Sequence, residues 1–103
     1  MVWLAGMTGA SDASGKSLAG DFDAQFHQTF RNIESTLAQC GCKLSDLVTM
    51  TVFLIDARHT TRMTELRSQL FGNNFPASAA ITVSGFARPD IMIEVQGVAV
   101  TAK

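Results

Sequence analysis

Apolar residues return every three or four positions between Asp21 and Cys40, at Phe22, Phe26, Phe30, Ile33, Leu37 and Cys40. That spacing turns one face of an α-helix towards a core and predicts a helix over 21–40. Asp21 or Asp23 can cap its start, and Gly41 can take the left-handed turn that stops it. Thr60 to Phe71 repeats the spacing in shorter form through Met63, Leu66 and Leu70, with Gly72 and Asn73 ending it. Four other segments read as strands on their apolar and β-branched content: Val2 to Gly6, Leu47 to Ile55, Ala79 to Val83 and Ile91 to Thr101. Met7 to Gly20 carries Gly9, Gly15 and Gly20 among Ser11, Asp12 and Ser14, which is loop chemistry. The predicted order is β-α-β-α-β-β. It describes a single α+β domain over 1–103, a sandwich with two helices on one face of a small mixed β-sheet.

Alternation sorts the strand residues by face. Val48, Met50, Val52 and Leu54 form one row, matched by Ile91, Ile93 and Val95, and these are expected beneath the helices. Opposite them stand Thr49, Thr51 and Phe53, with Met92, Glu94, Gln96, Val98 and Val100. Such a face is too apolar for bulk water and too polar for a dry core. It is expected to pack against other copies of the chain, in a symmetric homo-oligomer with helices outside and sheets inside. The alternative is a wet face with scattered hydrophobes. Ser84 to Asp90 is turn-rich and short enough to join the last two strands as a hairpin. Centred near Phe86, that hairpin would set Ser78 across from Glu94 and Ala80 across from Met92, about 5 Å apart. A carboxylate on a partly dry face is the best candidate for a general acid or base, so Glu94 is singled out. A structural role for Glu94, held by a backbone amide or a threonine of a neighbouring copy, remains open.

Charge narrows the classes. Eight Lys and Arg against nine Asp and Glu give a net charge of −1. There is no basic stripe to neutralise phosphates, so nucleic acid is not an expected partner. No apolar run approaches the roughly 20 residues that span a bilayer, and no charged segment precedes an apolar one at the start, so the expectation is a cytoplasmic protein without a membrane partner. Gly15-Lys16-Ser17 resembles the end of a phosphate-binding loop, but Ala10 stands where the first glycine belongs and Gly20 interrupts the helix such a loop requires. Cys40 and Cys42 are too close in sequence for disulfide geometry, and one such pair cannot complete a tetrahedral zinc site. They are read as reduced thiols at a helix end, and no metal or cofactor is expected.

Several stretches together resemble one family. Ala24-Gln25, Asn32-Ile33, Leu37, Gly41, Leu47-Val48 and Thr51-Val52-Phe53-Leu54-Ile55-Asp56 are similar to the pattern of the reactive intermediate deaminase (RidA/YjgF) family. Phe75-Pro76-Ala77 and Ile93-Glu94-Val95-Gln96-Gly97-Val98-Ala99 follow in the family's order, so the likeness covers nearly the whole chain. It implies a chorismate-mutase-like fold, a homotrimer whose sheets close a central barrel, and small-molecule clefts between subunits. It also implies hydrolysis of reactive enamines and imines to 2-oxo acids and ammonia, with Glu94 positioning the attacking water.

Two departures bear on that expectation. Where the family places the arginine that holds the substrate carboxylate, this chain has Ser78. A hydroxyl offers one neutral donor in place of a charge-assisted fork, and hydrogen bonds to charged groups are worth about 1.5–3 kcal/mol each. The chain also starts inside the strand that follows the family's first one, and it contains no tyrosine, where the family lines its cleft with one. Ala5-Gly6-Met7 stands in place of Ser-Gly-Gln, and Thr64 and Arg67 align with positions that often hold Asn and Tyr. Gly6, Met7, Thr64, Arg67 and Ser78 are therefore the expected substrate-binding set, with Arg67 or Arg88 as candidate replacement cations. Three functions follow: a deaminase of altered specificity, a non-catalytic trimer that binds a small metabolite, and, on the charge balance least of all, an RNA-cleaving protein.

Overall fold

A computed structural model describes residues 1–101. Strand β1 (Val2–Met7) leads through a loop to helix α1 (Phe22–Gln39). Then come strand β2 (Leu47–Leu54), helix α2 (Thr60–Phe71), strand β3 (Ala77–Thr82) and strand β4 (Ile93–Ala99). Short 3-10 turns at Leu44–Asp46 and Ala57–His59 precede β2 and α2. The sheet order is β1-β4-β2-β3, with β2 and β3 parallel and the other pairs antiparallel. It is the two-helix, small mixed-sheet sandwich that the hydrophobic pattern predicts.

Helix α1 forms where its periodicity placed it. The Asp21 side chain accepts from the Ala24 amide at 3.0 Å and caps its start, and Gly41 leaves its end at φ 74°. Phe22, Phe26, Phe30, Ile33 and Leu37 are buried against Leu4, Met50, Val52, Leu54, Ile93 and Val95 of the sheet, and Met63 and Leu66 join them from α2. Full burial of a side chain of this size stabilises by about 1.5–3 kcal/mol, so α1 is the main clamp on the sheet. Cys40 departs from the expected stripe: the helix ends before it and it is exposed, while Cys42 turns inward in its place.

Two corrections concern the strands. Val48 does not share a row with Met50, Val52 and Leu54. The β2–β4 register shifts between Leu47 and Thr49, so Leu47 goes inward at 5% exposure and Val48 outward at 49%. Nor do β3 and β4 form a hairpin. Parallel β3 is linked to β2 by the α2 crossover, and β4 enters between β1 and β2. The Val83 amide donates to Leu54 O and the Ile55 amide to Met92 O, so Val83 and Met92 flank the end of β2 on opposite sides. A seven-residue turn reads alike in sequence whether it reverses the chain or carries it across a neighbouring strand. Only pairing strength across the sheet decides which.

Candidate functional site

With the hairpin gone, Ser78 no longer faces Glu94. Ser78 is in register with Met50 and so belongs to the helix side of the sheet. Glu94 is in register with Phe53 and belongs to the other side, which no element among the described residues covers. The expected site residues therefore fall into two groups on opposite faces.

The first group gathers on the open face. Its rows run across the sheet as Glu94, Phe53 and Ile81, then Gln96, Thr51 and Ala79, then Trp3, Val98, Thr49 and Ala77. Trp3 is 76% exposed and Ile81 47%. Trp3, Thr49, Thr51, Gln96 and Val98 line a shallow concavity of about 190 Å³ there. At one end of this face β1 bulges: Leu4 pairs with Gly97 and Met7 with Val95, so Ala5 and Gly6 together oppose Gln96 alone. A methyl group on Gly6 would stand 2.7 Å from both the carboxyl carbon and Oε2 of Glu94. The carboxylate thus rests directly over the bare glycine backbone. Among the described residues, no side chain or amide hydrogen-bonds to it. The bulge also turns Met7 away, so that its side chain packs on the core from the helix side and does not join Gly6 and Glu94.

The second group lies between α2 and the edge strand β3. Arg67 Nη1 donates to Ser78 Oγ at 2.7 Å, and its guanidinium carbon sits 5.9 Å from the centre of the exposed Phe75 ring. Thr64 is one helical turn before Arg67, exposed, its hydroxyl donating to Thr60 O at 3.0 Å. Ala80 and Thr82, further along the same side of β3, are exposed because the helices stop short of this edge. Arg88, the other candidate cation, is bound to Asp90 in its own turn and stands apart from both groups.

Sequence reasoning assigned no role to Gln25, which proves to be an organiser of the first group. It is fully buried, its amide donating to Leu18 O at 3.1 Å and Asp90 O at 2.8 Å while its oxygen accepts from the Met92 amide at 2.9 Å. The chain entering β4, two residues before Glu94, is thereby fixed to α1. Asn32 does the same for the chain leaving β1, donating to Thr8 O at 2.8 Å. The signal was present: Gln25 lies three residues after Phe22, on the core-facing stripe, where a polar side chain needs internal partners. Elsewhere Arg58, Arg62 and Arg88 are each paired with an aspartate. Arg58 holds the Asp56 carboxyl down to about 2, and Arg62 lowers Asp23 across the α1–α2 contact.

A carboxylate thus lies over a bulge on the open face of the sheet, and a cation stands at the sheet's far edge. Residues 1–101 match the family model described as Endoribonuclease L-PSP, and the chain belongs to that family, RidA/YjgF. It is 32% identical over 98 residues to a RutC family protein of Pyrococcus abyssi, covering 95% of this chain and 76% of that one. To the human 2-iminobutanoate/2-iminopropanoate deaminase it is 29% identical over 99 residues, covering 96% and 72%. A YjgF/YER057c/UK114 family member from Mycobacterium tuberculosis superposes with a TM-score of 0.83 at 27% identity, covering 96% of this chain and 77% of that one.

Proposed function

We propose that the chain is a hydrolytic deaminase of small enamines or imines, acting in the cytoplasm as a homotrimer whose sites form between neighbouring copies. The observation that carries this reading is Glu94 over Gly6 on an uncovered face that also exposes Trp3 and Ile81. Packing of that face against another copy would dry the carboxylate's surroundings and bring a neighbour's residues to it. The relatives named as iminobutanoate deaminases support the chemistry, and the free thiols Cys40 and Cys42 suit a reducing compartment.

In the reaction, water held by the Glu94 carboxylate adds to the imine carbon. Its proton passes to Glu94 and on to the nitrogen. Collapse of the resulting carbinolamine moves the hydroxyl proton to the amine, breaks the carbon–nitrogen bond and releases ammonia and the carbonyl product. No metal or cofactor enters. RNA cleavage, which the family model's description suggests, would need a cationic track for phosphates, which a net charge of −1 with Arg58, Arg62 and Arg88 each paired with an aspartate does not favour.

The test follows ammonia release from 2-aminoacrylate generated in situ and from imines without a carboxylate, beside the mass in solution. A trimer that releases ammonia, slowed by about 10²–10⁴-fold in Glu94→Gln, is expected. A monomer at micromolar concentration, or an unchanged rate in Glu94→Gln, removes the reading. A trimer that retains a small metabolite but releases no ammonia would instead be the binding protein that Ser78, in place of the clamp arginine, leaves as the second reading.

A further inference from the structure

We propose that the cleft between α1 and the loop after β1 is a binding site for a small amino acid with a polar side chain, held as the zwitterion with its ammonium on Asp12 and its carboxylate on Arg31. The cleft, of about 630 Å³, is lined by Asp12 and Ser14 of the loop and by Gln28, Arg31, Asn32 and Ser35 of α1. Steps of three, one and three put the four helix residues on one face. Helix α1 packs on the covered side of the sheet, so the cleft and Glu94 lie on opposite sides of it, and the inference does not rest on the deaminase reading.

Both walls are set by contacts within the chain. Gly9 presses so closely on α1 that a methyl group there would stand 2.5 Å from the Thr29 amide nitrogen. Beyond it, Asp12 Oδ1 accepts from the Ser14 and Lys16 amides, each at 2.9 Å, and from Ser14 Oγ at 2.6 Å, which closes the loop on itself. On the helix wall Gln28, 6% exposed, donates to Asn32 Oδ1 at 2.8 Å, and Asn32 donates to Thr8 O. One charge is left open on each wall. The Ser14 hydroxyl and the loop amides hold the Asp12 carboxyl below its ordinary 3.8, so it is ionised at neutral pH, and its Oδ2 accepts from no described residue. Lys16 acts on it only from beyond ion-pair distance. Arg31 reaches Gln28 Oε1 at 3.5 Å and meets no carboxylate among the described residues. A phosphate would be repelled by Asp12, and the lining has no aromatic or large apolar side chain to take a sugar ring or an acyl chain. A zwitterion meets both charges, and the Ser14 and Ser35 hydroxyls suit a polar side chain between them.

Binding is measured on the full-length protein by calorimetry and by amide chemical shifts. The probes are asparagine, 3-aminopropanamide, which lacks its carboxylate, and succinamate, which lacks its ammonium. Asparagine should bind about tenfold or more tightly than either, and the amides that shift should be those of 12–14 and 28–35. Arg31→Gln should weaken asparagine by about tenfold and leave 3-aminopropanamide unchanged. Asp12→Asn keeps the Oδ1 acceptor that closes the loop; it should weaken asparagine by a similar factor and not weaken succinamate. Asparagine bound no better than its two analogues, an affinity unchanged in either variant, or shifts gathered around Gly6 and Glu94 overturns the proposal. So does the lack of saturable binding at about 10 mM asparagine. Ammonia release from imines is a separate readout, and its absence leaves this site standing.

Discussion

The two faces of the sheet are made from the same four strands and end in opposite states. On the helix side Leu4, Met50, Val52, Leu54, Ile93 and Val95 are buried against the helices, and the buried amide of Gln25 has both a donor's and an acceptor's partners. On the other side Trp3 and Ile81 stand exposed, and Glu94 lies over Gly6 with no hydrogen-bond partner among the described residues. Except along the edge of β3, one face is covered by the described residues and the other is not. The lesson is a division of labour: stability is concentrated between α1 and the sheet, so substitutions on the open face can alter assembly or chemistry while the fold survives.

The largest effect expected is on the covered side. Phe26 is fully buried, in contact with the Phe30 ring at 4.8 Å between centres, and faces the middle of the sheet. Phe26→Ala should cost about 3–5 kcal/mol by denaturant unfolding, through lost transfer energy and the cavity left behind. A cost near zero would mean that α1 does not clamp the sheet, and the contrast between the faces would fail.

Next in size is a change on the open face that spares the fold. The three atoms nearest a methyl group at Gly6 belong to the far end of the Glu94 side chain, which can swing aside. Gly6→Ala should therefore unfold close to the parent, yet displace the Glu94 carboxylate, which in the proposed reaction orients water. Misplacement by about 1 Å can cost up to 10²-fold, so ammonia release should fall about ten- to a hundredfold. Parent-like turnover in Gly6→Ala would show that the position of Glu94 over the bulge is immaterial.

How much of this was legible in the sequence follows the same division. Helix α1, the inward row of β4 and the mixed row on the open face were readable because a period of 3.6 or 2 is a local property of the chain. Strand partners are not local. Ser84 to Asp90 looked like a hairpin turn, and nothing within it reveals that β4 gains more by entering between β1 and β2 than by pairing with β3. The bulges at Val48 and at Ala5–Gly6 were hidden for the same reason, since each exists only relative to β4. Hence Glu94 was singled out by its strand face and Arg67 by the family resemblance, while the contacts of Arg67 with Ser78 and of Glu94 with Gly6 were not legible. Of the two candidate cations, Arg88 is paired with Asp90 in its own turn, whereas Arg67 meets Ser78 across the α2–β3 gap.

The smallest effect should come from the ion pairs of the helix layer and its connections. Hydrogen bonds from Arg58 lower Asp56 to about 2, those from Arg62 lower Asp23, those from Arg88 lower Asp90, and Ser14 lowers Asp12. Each folded value lies below the ordinary 3.8, so the stabilisation is complete above that pH and is lost as pH falls through the folded values towards 2. All four carboxylates are partly exposed, and pairs open to solvent are weak and screened by salt. The thermal midpoint should therefore decline only gently between pH 4 and 2 in about 0.1 M salt, more gently still in about 0.5 M. Asp56→Asn should remove the part of the decline nearest pH 2. A steep loss that salt does not flatten would mean that charges, and not the apolar contact of α1 with the sheet, hold the covered face together.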